Sequence, residues 1–167
     1  MTRIQIAGAA VIALMVIALV VDERSALDQS GDQSLLPGLA GELASLDRVQ
    51  VRGLDHSVEL VRRDNIWRVA ERYDYPAKFE QLSDLLDQLS QAKLIERKTA
   101  RVESHDSLDV VVGPQSPGHR IVFPGLDLEP LIIGRTATLR SGTFVRLGEE
   151  AQVWLADQTV EITADPA

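Results

Sequence analysis

The sequence contains no cysteine, few aromatic residues and a marked shortage of positive charge. Without cysteine there are no disulfides, thiolate metal sites or cysteine nucleophile, and no N-terminal cysteine to carry a lipid. Aromatic residues make up 4% of the 167 positions, against 45% for hydrophobic residues as a whole. A core must therefore be built from Leu, Val, Ile and Ala, and the length fits one domain. Of the 17 Lys and Arg residues only Arg3 precedes Asp22, so the remainder sets 16 basic against 25 acidic side chains. Such a surface repels phosphate backbones and anionic leaflets. That argues against nucleic acid as a partner, and against a domain lying flat on a membrane.

The longest feature present is an apolar run. Residues 6–21 (IAGAAVIALMVIALVV) hold no charged or hydrogen-bonding side chain. With Ile4 and Gln5 they give about 27 Å of helix at about 1.5 Å per residue, just enough for a hydrocarbon core of about 30 Å. Arg3 precedes the run and Asp22-Glu23 follow it, a charge order that sends the remainder of the chain out of the cytosol. A cleaved signal peptide is the rival reading. Its apolar region would be shorter, about 7–15 residues, and Ala18-Leu19-Val20 makes a poor cleavage site. The expected organisation is an anchor over residues 1–21, a polar linker over 22–34 and an extracytoplasmic α+β domain over 35–167.

Within that domain, Leu36, Leu39, Leu43 and Leu46 are spaced for a short helix lying against its own domain, although Gly38 and Gly41 weaken it. From Asp47 the period becomes two. Val49 and Val51, Val58 and Leu60, and residues 66–69 mark three strands, with turns at Gly53-Leu54-Asp55-His56 and Asp64-Asn65. Tyr75-Pro76-Ala77 opens the main helix, about residues 76–93. Phe79, Leu82, Leu86 and Leu89 form its apolar stripe, and Lys93 closes it. Residues 94–99 suggest a further strand, and 101–118 read as loop, with 108–112 either a short strand or a buried contact. Short strands are expected at 120–123, 130–133, 143–147 and 152–155. The fold class is α+β: a mostly antiparallel sheet with one main packed helix behind an N-terminal transmembrane helix.

Chemical motifs are sparse. His56, His105 and His119 fall in predicted turns or loops, none at i, i+4 from another, so they read as exposed loop residues and not as a zinc site. Ser104, His105, Asp106 and Ser107 offer triad residue types, but neighbours in sequence cannot converge as nucleophile, base and orienter. Neither G-x-G-x-x-G nor a phosphate-cradling loop occurs. Trp67 and Trp154 each sit in a strand, where packing is the usual role. Arg135, Arg140 and Arg146, with Trp154, make a conceivable anion or sugar site. Ion pairing with the abundant Asp and Glu is the plainer account of those arginines. No catalytic residue, metal ligand or cofactor is assigned.

Several short motifs occur in a set order: Leu36-Pro37-Gly38-Leu39, then Val58-Glu59-Leu60-Val61-Arg62-Arg63-Asp64 with Ile66-Trp67-Arg68-Val69, then Tyr75-Pro76-Ala77. Lys93-Leu94-Ile95-Glu96-Arg97-Lys98-Thr99 follows, then Leu131-Ile132-Ile133-Gly134-Arg135, Thr143-Phe144-Val145-Arg146, Val153-Trp154-Leu155 and Asp165-Pro166. Together they resemble the bacterial domain-of-unknown-function 4340 family, from about residue 36 onward. The stretch 104–119 departs from the Leu-Gly-containing loop usual in that family. The resemblance implies a single-pass protein of the bacterial inner membrane with its C-terminal domain in the periplasm. It further implies a non-enzymatic accessory role beside an ABC-type permease. A periplasmic domain that binds a small anion or sugar is the alternative.

Overall fold

The computed structural model describes residues 33–54, 56–111, 113, 116–160 and 162. The expected anchor over 1–21 and the linker up to residue 32 lie outside the described residues. No helix among the described residues is long and apolar enough to cross a membrane.

Among the described residues ten strands, two α-helices and three short 3-10 turns follow one another. The strands and α-helices are β1 (Gln33–Ser34), α1 (Leu39–Glu42), β2 (Arg48–Arg52), β3 (Ser57–Arg63), β4 (Ile66–Val69), β5 (Tyr75–Pro76) and α2 (Phe79–Gln91). Then come β6 (Lys93–Arg97), β7 (His119–Val122), β8 (Leu131–Thr136), β9 (Thr143–Leu147) and β10 (Val153–Ala156). Local chemistry accounts for most boundaries. Strand β2 alternates exposed Arg and Gln with buried Val, the period of a half-buried strand. Asp64 and Asn65 close the β3–β4 hairpin with φ of 53° and 64°, the paired left-handed conformation whose twist suits a two-residue turn. Helix α2 buries Leu82, Leu86 and Leu89 on one side. It ends where Ala92 turns extended, and the Leu35 amide donates to the Ala92 carbonyl.

All strands join one sheet in the order β1-β6-β10-β9-β8-β7-β2-β3-β4-β5, and every neighbouring pair is antiparallel. Strand β5 lies at one end and β6 next to the other, yet α2 alone connects them. Laid flat, the eight strand spacings between them would span about 38 Å. Helix α2 and its few flanking residues reach only about 30 Å. The sheet must therefore curl around the helix, as its accumulated twist favours. The face toward α2 carries the main core, with Val49, Val51, Leu60, Trp67, Val69, Ile121, Leu131, Ile133, Val145 and Trp154 buried there. Segment 35–46 packs on the same core through Leu35, Leu36, Leu39 and Leu46.

The outer face has a second, smaller core in which Val110 rests on Ile132 and Val153, with Leu108 and Phe144 beside them. Two glycines allow this cover to lie close. A Cβ at Gly134 would stand 2.2 Å from the Leu108 carbonyl oxygen, and one at Gly118 would stand 2.0 Å from that of Asp109.

Several expectations need correction. Helix α2 starts at Phe79, not at residue 76, and stops at Gln91. Pro76 belongs to β5, and Lys93 opens β6. Phe79 is 62% exposed. At the first helical position its side chain tilts toward the N-terminus and off the core, so it is not part of the stripe. The linker does not run to residue 34, because Gln33 and Ser34 pair with Leu94 and Lys93. The leucine-rich helix shrinks to Leu39–Glu42, preceded by Gly38 at φ 93°. Of the two readings of residues 108–112, the buried contact is the one that holds over 108–111, where Val110 is buried on the outer face and no strand forms.

Candidate functional site

Arg135, Arg140, Arg146 and Trp154 do not form one site. Arg146 lies opposite Ile132 and Val153, whereas Trp154 lies opposite Val145. Alternate residues of a strand point to opposite faces. Arg146 is therefore on the outer face and Trp154 in the main core, its ring covered by the Arg97 guanidinium at 5.0 Å. Trp67 is treated alike by Arg62 at 5.9 Å. Arg140 pairs with Glu96 at 2.7 Å, as does Lys98. The Lys98 hydrogen bond first, and then the two positive charges, hold the Glu96 carboxyl below its usual range. Arg135 is exposed at the far end of β8.

The structure groups Arg146 with arginines that the sequence pattern did not single out. Arg52 of β2 is opposite Arg120 of β7, Arg120 is opposite Ile132 of β8, and Ile132 is opposite Arg146. The three arginines form one row across four strands of the outer face. Arg146 is held in place by main-chain oxygens: its Nε donates to Val110, and its Nη1 to Gly148 and Glu150. Burial lowers its pKa, Arg120 adds to that, and Glu149 opposes it. A cleft of about 410 Å³ opens over Arg120 and Arg146, walled by Val102, His105 and Val111 and rimmed by Glu149 and Glu150.

None of the three histidines is exposed, and His119 is in a strand, although His56 and His105 do lie in turns or loops. His105 is buried, with its Nε2 2.9 Å from the Ala151 oxygen, which ties the cover segment to the β9–β10 turn. His119 lies within β7, its ring centroid 5.6 Å from that of His56. Burial first, then the His56 charge, lowers its pKa below the ordinary 6.5. His56 Nε2 is buried without a partner among the described residues. Beside it lies an apolar cleft between α2 and β2–β3 of about 70 Å³, far below the roughly 300 Å³ of small-molecule sites. Among the described residues no three of His, Cys, Asp and Glu are placed to hold a metal ion.

A different surface lies at the β4–β5 corner. Tyr73 and Asp74 both adopt left-handed conformations, with φ of 53° and 57°, which cost non-glycine residues about 1–3 kcal/mol each. Arg63 pairs with the Asp74 carboxylate at 2.6 Å, and Arg68 donates to the Asp74 carbonyl at 3.0 Å, so the corner is fixed from the outer face. Its product is a Tyr73 side chain that is 102% exposed. Tyr75 of β5 and Phe79 at the start of α2 are also exposed. Three of the chain's seven aromatic residues thus stand in solvent at one end of the sheet. Sequence reasoning passed over Tyr73 and Tyr75 because the proline after them reads as a helix start.

These elements define a sheet-dominated α+β domain, a single curled antiparallel sheet closed by one long helix. The model of a family described as domain of unknown function (DUF4340) matches residues 67–166, more than half of the chain, and the chain belongs to that family. No curated protein matches it, and no solved structure does.

Proposed function

We propose that this chain is a non-enzymatic accessory subunit, tethered to the bacterial inner membrane by residues 1–21, that docks another membrane protein in the periplasm through its β4–β5 corner. The observation that carries the reading is Tyr73. A strained, doubly pinned corner delivers an aromatic ring that is fully exposed among the described residues. Backbone strain of this kind persists only where the surrounding structure holds it and clusters at functional sites, and aromatic residues are enriched at the buried centres of protein interfaces. Strand addition is the wrong mode here, because β5 has two residues and Pro76 lacks a donor N–H. Contact is through side chains. An ABC-type permease is the partner that the family resemblance suggests, and the charge order around residues 6–21 supports the periplasmic placement.

The test is recovery from membranes solubilised in mild detergent. The wild-type full chain is expected to bring down one membrane protein in constant proportion. A Tyr73→Ala, Tyr75→Ala double variant is expected to lose it while unfolding at the same temperature, since neither side chain is buried. Undiminished recovery with the double variant would overturn the assignment of the corner.

A further inference from the structure

The arginine row on the outer face has a chemistry of its own, separate from the corner. Arg52 and Arg120 are directly opposed across β2 and β7, about 5 Å apart at the backbone. Arg120 and Arg146 are separated by one strand, about 10 Å. Like charges opposite one another destabilise a sheet. Among the described residues neither the Arg52 nor the Arg120 side chain meets a carboxylate or a carbonyl. Four cations of the domain do find acids, Arg48 with Glu59, Arg63 with Asp74, and Lys98 and Arg140 with Glu96, whereas Arg62 and Arg68 bond main-chain oxygens. Acidic residues outnumber basic ones 25 to 17 in the chain, so partners for Arg52 and Arg120 were not in short supply.

The space around these arginines is concave. Arg120 lines the cleft it shares with Arg146, and equally a second one of about 300 Å³ that it shares with Arg52, Gln50 and Ser57. The two clefts flank Arg120, the residue common to both linings, on one face of the sheet. One wall of the Arg146 cleft is the cover segment, which cannot drift away: Gly118 and Gly134 receive it, His105 fastens it to Ala151, and the Arg146 Nε grips Val110. Arg146 keeps its Nη2 free of any described partner while Nε and Nη1 are spent on carbonyls. Arg52 and Arg120 thus offer whole guanidinium forks beside a fixed Arg146 that offers Nη2 alone, over concave surface of ligand size.

We infer that this concave surface binds an acidic peptide segment, whose side-chain carboxylates are received by Arg52, Arg120 and Arg146. Planar guanidinium forks match carboxylates in two parallel hydrogen bonds. The row spans about 14 Å over three strand spacings, the length of about five residues of extended chain, so a segment with carboxylates at its first, third and fifth residues covers it, the long side chains taking up the unequal gaps of about 5 Å and 10 Å. Glu149 and Glu150 on the rim reject a dense polyanion and accept a chain whose backbone amides face them.

The experiment uses the full chain in detergent and two synthetic probes, a short alternating Glu-Gly peptide and its Lys-Gly counterpart, with inorganic phosphate as a third. The Glu-Gly peptide is expected to bind and to weaken as salt rises, and the Lys-Gly peptide not to bind. Arg120→Gln is expected to cost about tenfold in affinity, and Arg140→Gln, which lies at the Glu96 pair, nothing. Without ligand, Arg120→Gln is expected to unfold at the same or a higher temperature, because it removes a repulsion. A purely structural arginine would lower that temperature. Arg52→Gln provides an independent second variant with the same expected loss. Binding that is indifferent to both variants would overturn the assignment, as would phosphate alone binding as tightly as the peptide.

Discussion

His119 shows how much a single side chain depends on where the sheet places it. Its pKa lies below 6.5 in the folded chain, through burial first and His56 second. In the unfolded chain it takes up a proton near its ordinary value. As pH falls through about 6.5, the unfolded state therefore binds the proton first, and stability declines until the folded-state pKa is also passed. Above about pH 7 the contribution is complete. Thermal unfolding is expected to show a lower midpoint at about pH 5 than at about pH 8, and His119→Gln is expected to reduce that difference. An equal drop in the variant would place the effect on another group. None of this was legible in the sequence, where His119 follows Gly118 and reads as a loop. Its strand character comes from pairing with Ile133 across β8, a contact no local pattern announces.

Among the elements, α2 is the one the sequence describes best and misplaces most instructively. Its stripe is real: Leu82, Leu86 and Leu89 are buried, and Leu85 packs partly against them. Its start is not where proline suggested, since Pro76 occupies an edge strand and Phe79 overhangs. The two ends of the expected stripe should therefore respond differently. Leu86→Ala is expected to cost about 2–5 kcal/mol in denaturant unfolding, by removing a buried side chain and leaving a cavity. Phe79→Ala should stay within about 0.5 kcal/mol, as surface changes do. A comparable loss from both would mean that Phe79 packs after all. The β2–β3–β4 meander was equally legible, because Val49, Val51, Val58 and Leu60 alternate with polar residues and Asp64-Asn65 supplies a tight turn. Both signals are local in sequence.

At the scale of the molecule, the long-range pairings carry what local patterns could not. Strand β2 meets β7, about seventy residues later in the chain, and β6 meets β10 across a similar gap. The first junction puts Arg52 beside Arg120 and the second brings β6, with Glu96, beside β10, while the β9–β10 register sets Trp154 and Arg146 on opposite faces. The candidate site in the sequence was a cluster along the chain, whereas the site in the fold is a row across it. The corner was hidden for another reason. Exposure of Tyr73 follows from two left-handed residues in succession, and Tyr-Asp is not a pair that ordinarily signals such a turn.

The central claim is that this corner meets a membrane protein outside the cytosol, and photo-crosslinking in living cells tests it most directly. A benzophenone amino acid at position 73, and separately at 75, is expected to yield one discrete adduct with a membrane protein. The same group at Leu139, which is nearly as exposed but lies on the β8–β9 hairpin, is expected to yield none. Absence of an adduct from both corner positions, or an identical adduct from Leu139, would contradict the account.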